Sequence, residues 1–307
     1  MDYTHIPVMI REVCELFDVK NGGNFVDCTV GLGGHAEAIL SANPKSTLLG
    51  IDRDNEAVNI ARKRLERFGK RVKLINCNFK DVSFWRKEIQ GEPTGILADL
   101  GISSLQLREG RGFSFNDSTS LDMRMDRYKG LKAVDFINKA KEDEITIVLK
   151  KYGEIDNSKK IAKKIVEFRN KKLIENGKEL SEIILEVSPK LKKEKIHPAT
   201  KVFQALRIFI NEELNNLDNF IKEAVSLLSS TGKIVIISYH SLEDRIVKKT
   251  FNELKKGCIC PPKLPVCGCG RKPLLSYILR NPLRPSLEEV LRNNSARSSK
   301  LRYGVKM

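Results

Sequence analysis

Asn24-Phe-Val-Asp-Cys-Thr-Val-Gly-Leu-Gly-Gly-His-Ala36, continued by Leu48-Leu-Gly-Ile-Asp-Arg-Asp54, decides how this chain folds. The apolar run from Phe25 to Val30 reads as a strand, and Gly31-Leu-Gly-Gly34 as the turn that ends it. A helix over 34–42 and a second strand over 47–52 are expected next, the strand closed by Asp52. Glycines let a backbone pass close to a ligand, and a carboxylate about 20 residues further on can bind both hydroxyls of a ribose. The unit therefore reads as a nucleoside-cofactor site. Gly31-x-Gly33-x-x-Ala36 also fits the dinucleotide pattern G-x-G-x-x-G/A, which keeps NAD or FAD as an alternative. A glycine turn that holds no ligand is the plainer reading.

The same alternation extends outward. Strands are expected at 72–77 and 95–100, and helices at 55–68 (capped by Asn55) and after Asp81. Strands alternating with helices of this length argue for a parallel sheet. In such sheets ligands sit beyond the carboxyl ends of the strands. Gly31 to Gly34, Asp52, Asn78-Phe79 and Asp99 occupy four successive strand ends. Each has an ordinary reading taken singly: a turn cap for Asp52, core for Phe79, a capping residue for Asp99. Their joint occurrence in strand order is the stronger sign.

After Leu100 the rhythm changes. Residues 108–198 contain no convincing strand, only Lys-rich helical stretches. In Lys159 to Lys172, Ile161, Ile165 and Phe168 share one side with bases around the rest. That is either an RNA-facing stripe or the solvated face of an amphipathic helix. The spacing of Val202, Phe203, Leu206, Ile210, Leu214 and Leu217 predicts one long core helix. A helix over 219–229, a buried strand over 233–239 and a last strand over 274–280 follow. The expected organisation is an α/β sheet domain (1–107 and 199–307, ending in a basic tail) interrupted by a helical insertion (108–198).

The 307 residues carry a net charge of +16, with 41% hydrophobic and 31% charged residues. No run approaches the roughly 20 apolar residues that span a membrane, and the first residues lack the pattern of a signal peptide. A cytoplasmic protein with a polyanionic partner is expected, the charge favouring phosphate neutralisation. Of seven cysteines, Cys14, Cys28 and Cys77 sit in apolar contexts and read as reduced core residues. Cys258, Cys260, Cys267 and Cys269 form C-x-C-x6-C-x-C, which departs from the C-x2-C spacing of zinc knuckles. Zinc and a loop of unliganded thiols both remain open there, and no metal is assigned. His240-Ser241 does not read as a hydrolase pair, since no G-x-S-x-G elbow is present.

Several segments together resemble the MraW/RsmH family of ribosomal RNA small-subunit methyltransferases. They are His5-Ile-Pro-Val-Met9, Asp27 to His35, Gly50 to Asp54, Ala98-Asp-Leu-Gly-Ile-Ser-Ser104 and Leu121-Asp-Met-Arg-Met-Asp126. His197 to Arg207, Ile237 to Val247, Pro282 to Ser286 and Ala296 to Arg302 continue the match in the family's order. The resemblance implies a Rossmann-like domain that uses S-adenosylmethionine (SAM), interrupted by a helical substrate-recognition domain. It implies transfer of a methyl group to N4 of a cytidine in the decoding region of 16S ribosomal RNA, as naked RNA or in the 30S subunit, and leaves room for a homodimer. By motif match, Gly33, Gly34, His35, Asp52, Phe79, Asp99 and Gln106 would contact SAM, with Asp52 on the ribose and Phe79 near the adenine. The chain departs from the family at Leu105, Arg108 and Ser118 to Ser120.

A cytosine N4 amine is a weak nucleophile because its lone pair conjugates with the ring. An acceptor hydrogen-bonded to N4–H helps that pair localise, and Asp99 is the expected acceptor. The basic insertion and the 271–307 segment, with nine Lys/Arg against two Glu, are expected to hold the RNA backbone.

Overall fold

The computed structural model describes residues 7–103, 105–107, 110–189, 197–256, 260–261, 265–266 and 268–307. Cys258 and Cys267 lie outside them, so the four-cysteine reading does too. The chain forms two units, residues 1–101 with 216–307 and residues 102–215.

In the first unit, helix α1 (Ile10–Phe17) precedes β1 (Asn24–Asp27), α2 (Gly34–Ala42), β2 (Thr47–Asp52), α3 (Asn55–Leu65), β3 (Val72–Asn76), α4 (Val82–Trp85) and β4 (Gly95–Asp99). Four of the expected strands and the first two helices stand within a few residues of their expected bounds. Helix α3 is capped by Asp54, whose carboxylate accepts from Glu56 N, rather than by Asn55. Asp54 has extended backbone and Asn55 already helical geometry, so the cap falls one residue earlier.

The second unit holds α5 (Ala133–Lys139), α6 (Glu142–Gly153), α7 (Ser158–Arg169), α8 (Gly177–Val187) and α9 (Pro198–Ile210). Its core is its own: Phe136, Leu149, Ile165, Ile184 and Leu206 are buried together. Ile161 and Ile165 of α7 face that core, while Lys159, Lys160 and Lys163 stay exposed. Before α5, Asp117 organises a loop by accepting from the N–H groups of Gly110, Gly112, Thr119 and Ser120.

The insertion extends further than expected. Val202, Phe203 and Leu206 of α9 pack into the helical core, so 199–215 belongs there and not to the sheet. The long helix read from 202 to 217 is broken in two. Asn211 leaves the helix to accept from Met125 N and donate to Met123 O, and Glu212 and Asn216 take left-handed φ values of 51° and 57°. Both departures end an α-helix.

The first unit resumes with α10 (Leu217–Leu227), β5 (Lys233–Ser238), α11 (Ser241–Lys256), β6 (Leu275–Ile278), α12 (Leu287–Arg292) and β7 (Lys300–Lys306). One sheet runs in the order β3-β2-β1-β4-β5-β7-β6. The first five strands are mutually parallel, and β7 runs antiparallel to both β5 and β6. The interior strand β5 is buried on both faces: Ile234 and Ile236 point into one cluster, Val235 and Ile237 into the other. That two-sided burial explains its unbroken Ile-Val-Ile-Ile run.

The basic tail is in fact β7, an interior strand. Its alternation of Leu301, Tyr303 and Val305 with Arg302 and Lys306 is the period-2 signature that its charge hides. Arg302 is buried, and its Nε donates to Asp244 Oδ1 of α11 at 2.6 Å, while Lys300 reaches the other oxygen. Burial is the largest single influence and would raise the Asp244 carboxyl, but the hydrogen bonds and charges of Arg302 and Lys300 together outweigh it and hold the group below its ordinary range.

Candidate active site at the carboxyl ends of the sheet

The chain switches direction at β1. Cys28 N donates to Leu97 O of β4, and Val30 N donates to Ile51 O of β2. Between these partners the backbone opens into the glycine turn. Gly31 and Gly33 have φ of 50° and 83°, which favour glycine. Gly34 is required by space: a Cβ there would lie 2.2 Å from Pro7 Cγ. No side chain caps the N-terminus of α2, leaving its first N–H groups and positive dipole end for an anionic group such as a carboxylate.

Asp52, at the tip of β2, accepts from Gly31 N through Oδ2 and from Asp54 N through Oδ1, both at 2.9 Å. It is both a turn cap and a tether for the glycine loop. Burial pushes its carboxyl up to about 6, against the pull of those two N–H groups. Asp99, at the tip of β4, is fixed through its backbone: its N–H donates to Thr29 Oγ at 2.7 Å, and its Oδ1 accepts from Gly101 N at 3.3 Å.

Phe79 follows β3 and meets Phe220 of α10 edge-on at 4.6 Å, half-buried against the sheet core. Its partial exposure beside Asp52's strand suits an adenine ring. His35 is buried rather than an exposed first-turn residue, and its Nε2 lies 3.0 Å from Val8 O. That bond commits Nε2–H to the Pro7–Met9 segment, which Glu289 also holds through Met9 N at 2.6 Å. Gln106 belongs to the helical unit, where its Oε1 accepts from Ser103 N at 3.1 Å.

The sheet unit therefore gathers Gly33, Gly34, His35, Asp52, Phe79 and Asp99 at one edge. It adds three residues that sequence reading missed. Asp27, at the end of β1, is buried with its Oδ2 unpartnered among the described residues. Burial and the nearby Asp99 and Asp52 push its carboxyl up to about 8, although Thr29 N–H pulls the other way. Thr29 holds Asp99, and Tyr239, the residue after β5, contacts Asp99. The acid at Asp27 stood in plain view before the glycine turn, but the roles of Thr29 and Tyr239 exist only through strand pairing. His240 and Glu243 open α11, where Glu243 Oε2 accepts from Tyr239 N at 2.9 Å, so the His-Ser pair marks a helix start.

Three acidic side chains around a glycine turn, Asp27 among them held protonated by its burial, suit a ligand with a cationic centre, a carboxylate for the helix end and a ribose for Asp52. A dinucleotide pyrophosphate would bring two negative charges to the same acids. An orphaned buried oxygen on Asp27 and an uncapped α2 fit the amino-acid end of SAM. The sheet order with its antiparallel β7 and this edge define the class: a Rossmann-like, SAM-dependent methyltransferase.

The chain belongs to the MraW methylase family, whose model matches residues 2–307. It is 45% identical to "Ribosomal RNA small subunit methyltransferase H" of Geobacter sp. (strain M21), covering 100% of this chain and 99% of that one. It is 43% identical to the protein of the same name from Symbiobacterium thermophilum, covering 100% and 98%. Among solved structures, a putative rRNA-methylase from Clostridium thermocellum aligns with a TM-score of 0.41 at 13% identity, covering 99% of this chain and 100% of that one. The family assignment rests on the sequence matches.

Proposed function

We propose that the protein methylates small-subunit ribosomal RNA, at N4 of a cytidine in the decoding region. The name shared by its relatives supports the RNA, and the net charge of +16 suits a polyanion. The observation that carries the chemistry is the anchoring of Asp99, at a strand end beside the glycine turn and Asp52.

In this reading Asp52 takes the ribose hydroxyls, Phe79 packs against the adenine, Gly33 and Gly34 admit the backbone close to the amino-acid end, and Asp27 faces its charge. His35 acts by pinning the Pro7–Met9 segment over the turn. When bound, SAM supplies an electrophilic methyl group on a sulfonium. The chain's own work is alignment and exclusion of water. Asp99 accepts the N4–H hydrogen bond of an unstacked cytosine, favouring localisation of the amine lone pair. Single-stranded ribosomal loops lower the cost of unstacking.

The test is methyl transfer from labelled SAM to small subunits and to naked 16S RNA, with the site mapped by mass spectrometry. Label on N4 of one decoding-region cytidine is expected. Label on a ring carbon, a ribose or protein alone would overturn the reading.

A further inference from the structure

β5 pairs with β4 so that Ile237 lies opposite Asp99. Two residues on, Tyr239 emerges on the same face of the sheet as Ile237, since strand side chains alternate. Its hydroxyl hydrogen-bonds the Asp99 side chain. Its ring lies flush on Gly101: a Cβ at that glycine would meet Tyr239 Cε2 at 2.6 Å and Cζ at 2.8 Å. Its own backbone N–H is held by Glu243 at the mouth of α11. The phenol is thus fixed at its backbone, along its ring and at its oxygen. Burial first, then the charge of Asp99 and the hydrogen bond to it, and then Glu243 and Glu289, all oppose ionisation of the phenol. It therefore faces Asp99 only as a donor.

We infer that Tyr239 is a positioning residue for methyl transfer: its hydroxyl locks the rotamer of the Asp99 carboxylate, keeping an acceptor oxygen turned to the substrate amine. The inference rests on the reading of Asp99 as that acceptor. A carboxylate is a broad two-fold rotor about its last torsion. The Gly101 N–H holds it at 3.3 Å, a long contact. The phenol supplies the second point that a fixed plane requires. Glycine at 101 is explained by the same arrangement, because any side chain there displaces the ring.

Tyr239→Phe keeps the ring on Gly101 and removes only the hydroxyl. The expected result is a kcat lower by about tenfold to a hundredfold, with KM for the RNA, the SAM dissociation constant and the thermal midpoint unchanged. Asp99→Asn is measured alongside, together with the double variant. If the two side chains act as one unit, adding Tyr239→Phe to Asp99→Asn causes no further loss. An unimpaired Asp99→Asn enzyme overturns the acceptor reading itself. An impaired Asp99→Asn with a normal Tyr239→Phe overturns this inference alone, as do additive losses or an equal fall in SAM binding. Should Tyr239→Phe melt early, Gly101→Ala gives the second route: it pushes the ring aside while leaving the hydroxyl in the chain, and the same selective loss of kcat is expected.

Discussion

Asp52 satisfies two backbone N–H groups and still has lone pairs to offer, because an ionised carboxylate presents about four acceptor sites. Only the ionised form can both tether the loop and accept two ribose hydroxyls. With its carboxyl raised to about 6, SAM affinity is expected to weaken as pH falls through that value. Asp52→Asn is expected to weaken binding about tenfold or more at pH 8 and to flatten this pH dependence, as read by calorimetric titration. Asp27 gives a stability effect of opposite direction. Its folded carboxyl sits at about 8 against an ordinary value of 3.8, so between those values the native state holds a proton that the unfolded chain has released. Stability therefore falls as pH rises through that window. Asp27→Asn keeps an acceptor for Thr29 N–H without the charge, and its urea midpoint is expected to vary less between pH 5 and 8 than that of the parent. Asp52 and Asp99 were legible because each closes an apolar run. Thr29 and Tyr239 were not, because a hydroxyl gains its meaning only from the strand that register places beside it.

β7 shows how charge can conceal an element. The six expected strands were found from their apolar runs, but Lys300 to Lys306 mixes three bases among its apolar positions and reads as an appendage. In the sheet, Lys300 and Arg302 share the carboxylate of Asp244, and the strand seals β5 against β6. Removing 297–307 would thus open the sheet rather than trim an RNA-binding arm. Arg302→Ala leaves Asp244 without its main partner and is expected to cost about 2 kcal/mol. The loss should appear as a lower urea midpoint at neutral pH. Asp244 is depressed in the folded state, so its contribution is present above the unfolded carboxylate range and lost as acid protonates it; the two proteins should converge at low pH. The α9 boundary failed for a related reason. Its apolar residues have helical spacing, but spacing alone does not say which core they enter, and the break at Asn211 depends on a side chain reaching back to residues 123–125.

Over the whole molecule the surplus of positive charge makes RNA capture a salt-sensitive step. Each phosphate neutralised adds about 0.7 to the slope of log K against log salt for single strands. Filter binding of a 16S fragment is expected to weaken by about tenfold or more between 50 and 200 mM salt. SAM affinity, set by buried groups at the sheet edge, should change far less over that range. Equal sensitivity of both would place the RNA contacts elsewhere than on surface bases. No helix among the described residues is long and apolar enough to cross a membrane.

The seam between β4 and β5 has a kinetic side. Asp99 and Ile237 are neighbours in the sheet, yet an entire helical unit is threaded between them. Closing so long a loop from a disordered chain is entropically unfavourable, and long-range pairing is slow. Helices α5 to α9 bury their own core and can condense from local contacts. Refolding should accordingly show helix signal well ahead of recovered cofactor binding. The inserted unit would then serve the nascent protein before it serves any substrate, as the clasp that shortens the search for the middle of the sheet.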